Sequence, residues 1–168
     1  MNDKLEESGK YCIIHDQQGN VPVFFQYQHS LFEFHKKKIQ VTLGSMTKEK
    51  LLEELRHSII SCLGNGKTLG IMVGNLDPNF TTDITDENVL PTQKMFDKAL
   101  WTDVNKKEFM PYVKEHENFG PGGMNPGCFY PSEKFKIVII SQTTSDEDLT
   151  NLVKWLPHSD QFEKFVVV

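Results

Sequence analysis

The chain has 168 residues, 38% of them hydrophobic and 24% charged, which is long enough for one domain with a substantial core and typical of a soluble globular protein. Its formal net charge of −5 argues against a nucleic-acid partner or an anionic membrane surface, since proteins of both classes usually carry a basic face. Its three cysteines lack CxxC spacing, which favours free thiols in a reducing, cytoplasmic compartment over disulfides or zinc. Cys12 and Cys62 lie within apolar runs, so we expect them to be buried.

The N-terminal part predicts a lead-in, a strand, a helix and a second strand. Residues 1–10 are polar and charged, so we expect a flexible lead-in that is neither a signal peptide nor a membrane anchor. Residues 11–15 form a short apolar run, which predicts a buried strand. Asn20 can cap a helix whose aromatic residues follow at broadly helical spacing as far as Phe34. Ile39–Leu43 then alternates apolar and polar residues, which predicts a strand.

The central part predicts one long helix and one buried strand. Leucine and isoleucine repeat every four residues over 47–63, which predicts an amphipathic helix capped by Ser45 or Thr47. Gly64–Gly66 is expected to end this helix. Residues 69–73 are a continuous apolar run bounded by glycines, a pattern typical of a strand that is covered on both faces.

The C-terminal part is predicted to contain helices and strands in alternation. Residues 93–105 predict a helix, whereas the glycines and prolines of 119–127 break both the helix and the strand period. Phe135–Ser141 predicts a second strongly buried strand. A helix is expected over 145–155, and 165–168 is compatible with a last strand. This order of elements predicts an α/β fold, with a parallel sheet between helices on both faces.

The turn after the first strand lacks the groups that hold a nucleotide. A phosphate loop needs several free backbone N–H groups, a lysine for the phosphates and a Ser or Thr hydroxyl for Mg²⁺. This turn offers one glycine, no lysine and no hydroxyl. We therefore expect no cofactor at the vestigial phosphate-loop position, which consists of Asp16, Gln17, Gln18, Gly19 and Asn20.

Other candidates for catalysis have no support in the sequence. Residues 66–68 read Gly-Lys-Thr, but they follow a helix and precede a strand, so no helix N-terminus would face a phosphate. Asp77 follows the strand at 69–73, yet it precedes Pro78 and is better explained as a turn residue. The histidines show no i, i+4 pair on one helix, and Cys128 has no identified base. We predict no catalytic residue, no metal ligand and no enzymatic activity.

The loop over 119–131 is the best candidate for a working surface. Long loops without regular structure are usually either functional or disordered. This one carries four large side chains among glycines and prolines: Phe119, Met124, Phe129 and Tyr130. We predict that it contacts a protein partner. The alternative is that these side chains fold back onto their own domain, and the sequence leaves both interpretations open.

In chain order, these segments resemble the fifth AAA module of dynein heavy chains. They are still more similar to the dynein-like C-terminal domain of IQ-motif and ankyrin-repeat proteins of the ciliary type. The family pattern has a strand ending in Asp-Pro-Gln-Gly-Gln, then a strand and a Leu-rich helix ending in Gly. An apolar strand before Leu-Asp-Pro and an aromatic-aliphatic strand before Thr-Thr follow. The similar segments here are Ile14–Asn20, Ile39–Leu43, Leu51–Gly64, Ile71–Pro78 and Phe135–Thr144.

The resemblance implies a three-layer, P-loop NTPase-like or AAA+-like large subdomain over 11–168, with five mostly parallel strands in the order 5-1-4-3-2. It implies a degenerate nucleotide site without hydrolysis, in a structural protein of cilia, axonemes or microtubules. A regulatory nucleotide-binding domain without hydrolysis is the alternative. The chain departs from the family pattern because it has no second acid beside Asp77, no helical lid after the sheet, and an additional 119–127 segment.

In such a fold, binding sites lie at the carboxyl ends of the parallel strands. The loops His15–Asn20, Gly74–Asn79 and Gln142–Ser145 should therefore converge at one edge of the sheet. A protein partner would use either this edge or the loop over 119–131.

Overall fold

The computed structural model describes residues 10–143 and 145–167, and this part of the chain forms one five-stranded sheet. The strands are β1 (Cys12–Asp16), β2 (Ser30–Phe32), β3 (Thr68–Gly74), β4 (Lys136–Ser141) and β5 (Glu163–Val167). They lie in the order β2-β3-β4-β1-β5, and each neighbouring pair is parallel. Counted from the opposite edge this is 5-1-4-3-2, so the predicted sheet order is confirmed.

β4 lies at the centre of the sheet and is buried along its whole length. Ile139 pairs with Ile71 of β3 on one side and with Ile13 of β1 on the other. A strand covered on both faces needs apolar side chains on both faces, which explains its continuous run of aliphatic residues. The strands predicted over 69–73 and 135–141 are confirmed.

Helices pack on both faces of the described sheet. Their bounds are α1 (Val21–Gln28), α2 (Phe34–Thr42), α3 (Lys48–Asn65), α4 (Lys98–Thr102) and α5 (Asp146–Lys154). The larger core cluster combines side chains of β1, β3 and β4 with those of α3 and α5. The smaller cluster lies under α1 on the opposite face, where Phe25 packs directly on β3. This close approach requires Gly70, since an ideal Cβ there would lie 2.6 Å from the Phe25 ring.

The ends of α3 follow the predicted signals. The Thr47 side chain accepts a hydrogen bond from the backbone N–H of Lys50, so Thr47 rather than Ser45 caps the helix. Gly66 follows the last helical residue with φ of +64°, a left-handed conformation that glycine adopts without steric cost. The expected end of this helix at Gly64–Gly66 is confirmed, and Thr68 already begins β3.

The strand predicted over 39–43 is wrong, because most of that segment forms the end of α2. The second strand is instead β2, only three residues long, which follows the end of α1 at Gln28. Ile39 and Leu43 are both exposed and lie four residues apart, as on one side of a helix. The same spacing also satisfies a strand's alternation, so the local pattern did not discriminate between the two.

Two later elements also differ in length from their predictions. Within 93–105 only α4 is an α-helix, and the rest forms turns. The last strand begins earlier than predicted, at Glu163, while Val168 lies outside the described residues. The helix predicted over 145–155 is confirmed as α5, whose N-terminus is capped by Ser145. The lead-in over 1–9 also lies outside the described residues. No helix in the described ranges is long and apolar enough to cross a membrane.

Candidate functional site

Asp16 ends β1, and its buried carboxylate binds the start of α1. Oδ1 accepts hydrogen bonds from the backbone N–H groups of Gly19 at 2.9 Å and Asn20 at 3.3 Å. Oδ2 accepts from the N–H of Val21 at 3.0 Å. The predicted cap was the Asn20 side chain, which makes no capping bond, so that prediction is wrong. An internal carboxylate thus takes up the N–H groups that an anion would use at a free helix N-terminus.

The carboxyl ends of β1, β3 and β4 meet in a buried polar cluster. His15 Nδ1 lies 3.3 Å from the Thr143 hydroxyl oxygen. The backbone N–H of Gln142 donates to the carbonyl of Gly74 at 2.9 Å and so joins the ends of β4 and β3. The three loops that were predicted to converge therefore do meet at this edge, although Thr144 lies outside the described residues.

Asp77 directly follows the turn after β3 and is exposed. Its backbone carbonyl accepts a hydrogen bond from the Lys38 ammonium of α2, and the Leu76 N–H donates to the Val73 carbonyl to close the turn. The hydrogen-bonded turn ends at Leu76, so the interpretation of Asp77 as a turn residue is wrong by one position. Within the residues that the structure describes, no group of three or more His, Cys, Asp or Glu side chains is placed to hold a metal ion.

The glycine-rich loop is closed by its own hydrogen bonds. The N–H of Gly120 donates to the carbonyl of Met124 at 2.7 Å, and the N–H of Gly127 donates to that of Asn118 at 2.7 Å. The Asn118 side chain also accepts from the N–H of Phe129 at 3.1 Å. The loop is therefore an ordered turn that returns to its own base.

The four predicted loop residues divide into two pairs. Phe119 and Phe129 are half-buried, and the Phe129 ring lies 6.0 Å from that of Phe109 in the core. Met124 and Tyr130, by contrast, are 67% and 58% exposed. The two phenylalanines therefore fold back toward the domain, whereas Met124 and Tyr130 face solvent, and the predicted contact with a protein partner stays a prediction for this exposed pair.

A cavity of about 280 Å³ lies between α3 and this loop. Its apolar lining comes from Ile60, Phe119 and Phe129, and its polar lining includes His57 of α3. Gly64 lets Phe129 pack against the helix, since an ideal Cβ there would lie 3.1 Å from its ring. The recess is thus formed by the folding back of the two phenylalanines.

A buried ion pair fixes the base of the loop to α3. Arg56, 2% exposed, donates from Nη1 to Glu117 Oε2 at 2.6 Å and from Nη2 to Oε1 at 2.9 Å. The same guanidinium also binds the Glu53 carboxylate and the Tyr112 carbonyl. Glu117 further accepts from His57 Nδ1 at 2.6 Å. Segments far apart in sequence are held together by this cluster.

The pKa of Glu117 follows from these contacts. Burial raises the pKa of this carboxyl, but the hydrogen bonds from Arg56 and His57 and from the Lys114 N–H outweigh it, and the pKa falls to about 2. The pKa of Glu53 is likewise lowered to about 2, first by its hydrogen bond from Arg56. Both carboxylates are therefore ionised at neutral pH. No sequence pattern predicts this cluster, and the one local signal is an arginine beside the leucine stripe of α3.

None of the three cysteines, all of which lie in the described ranges, forms a disulfide. Cys12 and Cys62 are buried, as predicted, and Cys128 is exposed on the glycine-rich loop.

Comparisons with known protein families, with curated proteins and with solved structures found no match. The resemblance to dynein AAA modules, with the degenerate nucleotide site and the missing lid that it implies, stays a prediction made from the order of the motifs.

Proposed function

We propose that this chain is a non-catalytic protein-interaction domain whose contact surface is the loop over 119–131. The observation that carries the proposal is an ordered loop backbone that presents Met124 and Tyr130 to solvent. Large apolar or amphipathic side chains supply much of the energy of protein interfaces. Because the loop is already closed by its own hydrogen bonds, binding would cost little ordering entropy.

The turn at Asp16 supports the non-catalytic part of the proposal. A nucleotide phosphate at this helix N-terminus would need the N–H groups of Gly19, Asn20 and Val21, which bind the Asp16 carboxylate instead. A phosphate would also meet the negative charge of that carboxylate at close range. These contacts favour a structural role for the turn over the alternative of a regulatory nucleotide site.

The parallel sheet and its strand order agree with the AAA+-like large subdomain that the resemblance implies. On this basis the domain is a dynein-type AAA module that has lost nucleotide chemistry and kept its sheet as a scaffold. The proposed setting, an axonemal or other microtubule-based assembly of a cilium, rests on the family resemblance alone, which is a fold-level argument.

The contact surface is tested by quantitative capture from a ciliated-cell extract. Wild-type chain and the control variant Leu43→Ser, whose exposed leucine lies on another part of the surface, should retain the same proteins. The double variant Met124→Ser/Tyr130→Ser should lose them without a change in its thermal midpoint. Unchanged capture by the double variant would contradict the proposal, as would a fall of many degrees in its midpoint.

The nucleotide alternative is tested by isothermal calorimetry with ATP or ADP in the presence of Mg²⁺. We expect no measurable heat of binding. A dissociation constant near or below micromolar, equivalent to roughly 8 kcal/mol, would refute the proposal and establish a regulatory nucleotide site.

A further inference from the structure

The recess beside the loop and the exposed Met124 belong to one continuous surface. The cavity between α3 and the loop is lined by Gly120 and Gly123 of the loop and by Ile60 of α3. Met124 directly follows Gly123 and is 67% exposed. An exposed methionine therefore directly follows a residue that lines the recess, and the recess combines apolar with polar lining side chains. A patch of this kind can bind a second copy of itself about a two-fold axis, because both copies then contribute the same patch.

The tip of the loop leaves room for a second chain. An ideal Cβ on Gly122, Gly123 or Gly127 would meet no atom within 4 Å. All three have positive φ, between +74° and +78°, a conformation that favours glycine. The hydrogen bond from the Gly120 N–H to the Met124 carbonyl fixes the backbone on which the methionine stands. The side chain is thus held outward on a narrow tip.

The charge distribution favours a second copy as the occupant. Residues 118–132 contain no charged side chain, although the chain as a whole carries a net charge of −5. Two copies of an acidic chain repel each other over most of their surface, and an uncharged patch is where they can meet. Glu117 lines the recess, and its charge is paired with that of Arg56. A partner selected by charge would need complementary groups on this loop, which its sequence does not provide.

We propose that this surface mediates self-association, with Met124 of each copy inserted into the recess of the other. The inference rests on the proposed function, since it takes the loop over 119–131 as the contact surface and names the partner. The recess suits a methionine because Phe119 and Phe129 line it, and a thioether makes favourable contacts with aromatic rings. The contact is small, so the dimer is weak and reversible.

Sedimentation velocity tests the proposal on the full chain. Between about 10 micromolar and about 1 millimolar, the range expected for a small interface, the weight-average sedimentation coefficient of wild type should rise from monomer toward dimer. Met124→Ser should lower the association constant by roughly 100-fold, because two methionine side chains lose their burial. Leu43→Ser, the matched control, should associate as wild type does.

A complementation experiment separates reciprocal insertion from other contacts. Ser61 is exposed on α3 and lines the recess, so Ser61→Trp should fill it while Met124 stays in place. Each variant alone should be monomeric. An equimolar mixture of Met124→Ser and Ser61→Trp should associate again, since the methionine of one can enter the open recess of the other. Asn65→Trp, also exposed at the recess, replaces Ser61→Trp if that variant shows no cooperative unfolding transition.

Each outcome decides the proposal. Monomeric wild type throughout the range, dimers of Met124→Ser at wild-type strength, or a mixture that stays monomeric would each overturn it. If the mixture associates while each variant by itself stays monomeric, insertion of Met124 into the recess of the other copy is established. Wild type that stays monomeric but still captures proteins through the loop would overturn self-association while sustaining the proposed function. Self-association with no loop-dependent capture would sustain self-association and would overturn the idea that the loop binds a different protein.

Discussion

Replacing Arg56 with methionine should lower the free energy of unfolding by about 3 kcal/mol, the lower end of the range for breaking a buried ion pair. The methionine side chain is similar in length to that of arginine, so the main loss is the positive charge that pairs with Glu117. Arg56 and the Glu117 side chain are only 2% and 7% exposed, so water cannot replace the guanidinium freely. Glu117 would keep two donors, His57 Nδ1 at 2.6 Å and the Lys114 N–H at 3.0 Å, which limits the cost.

The measurement is urea unfolding at neutral pH, followed by circular dichroism and by tryptophan fluorescence, to which the buried Trp101 and the half-buried Trp155 both contribute. For a chain of this size, the expected loss corresponds to a fall in thermal midpoint of about 6–12 °C. The double variant Arg56→Met/Glu117→Leu should recover most of the stability, because no buried charge then lacks a partner. A single variant that loses less than about 1 kcal/mol, or a double variant no more stable than the single one, would refute the reasoning.

Four further predictions concern stability. Ile139→Ala should cost about 2–5 kcal/mol in urea unfolding, since Ile139 is fully buried at the sheet centre, and a cost below about 1 kcal/mol would contradict that placement. Gly70→Ala should cost about 1–3 kcal/mol by forcing Phe25 off β3, whereas an unchanged midpoint would argue against this packing. Asp16→Ala should cost about 3 kcal/mol, because three backbone N–H groups lose a charged acceptor; the loss should appear equally in thermal and urea unfolding. The pKa of Glu117 is lowered from 4.5 to about 2, so the ionised carboxylate contributes fully to the free energy of unfolding above about pH 4.5. About 3 kcal/mol of that free energy should be lost as the pH falls through 2. The variant Glu117→Gln cannot titrate, so its free energy of unfolding should fall less over the same interval.

The strands that were predicted correctly are those whose burial on both faces produces an unbroken run of apolar residues. The apolar runs of β3 and β4 have no polar alternation because both faces are covered, and turns or glycines mark their ends. β2 was missed because three residues are too few to show a period, and its position within an aromatic stretch suggested a continuing helix. The false strand at 39–43 arose because its apolar residues satisfy both a two-residue and a four-residue spacing.

The candidate surface was predictable only in part. Composition identified the glycine-rich loop, but it could not show which of its large side chains pack inward, because that depends on contacts with Gly64 and Phe109. The ion pair between Arg56 and Glu117 joins α3 to the segment between β3 and β4, 61 positions further along the chain. No local pattern links the two residues, so the recess beside them became apparent only in three dimensions.

The position of β1 has a consequence for how the chain acquires its structure. Cys12 lies opposite both Val138 and Glu163, which come from near the other end of the sequence. During translation β1 stays without either neighbour until β4 and β5 have been synthesised. Closing such long loops is entropically costly and slow, and apolar strands exposed in the meantime are prone to aggregate. We therefore expect the apolar residues of β1 to stay uncovered until β4 and β5 can pair with it.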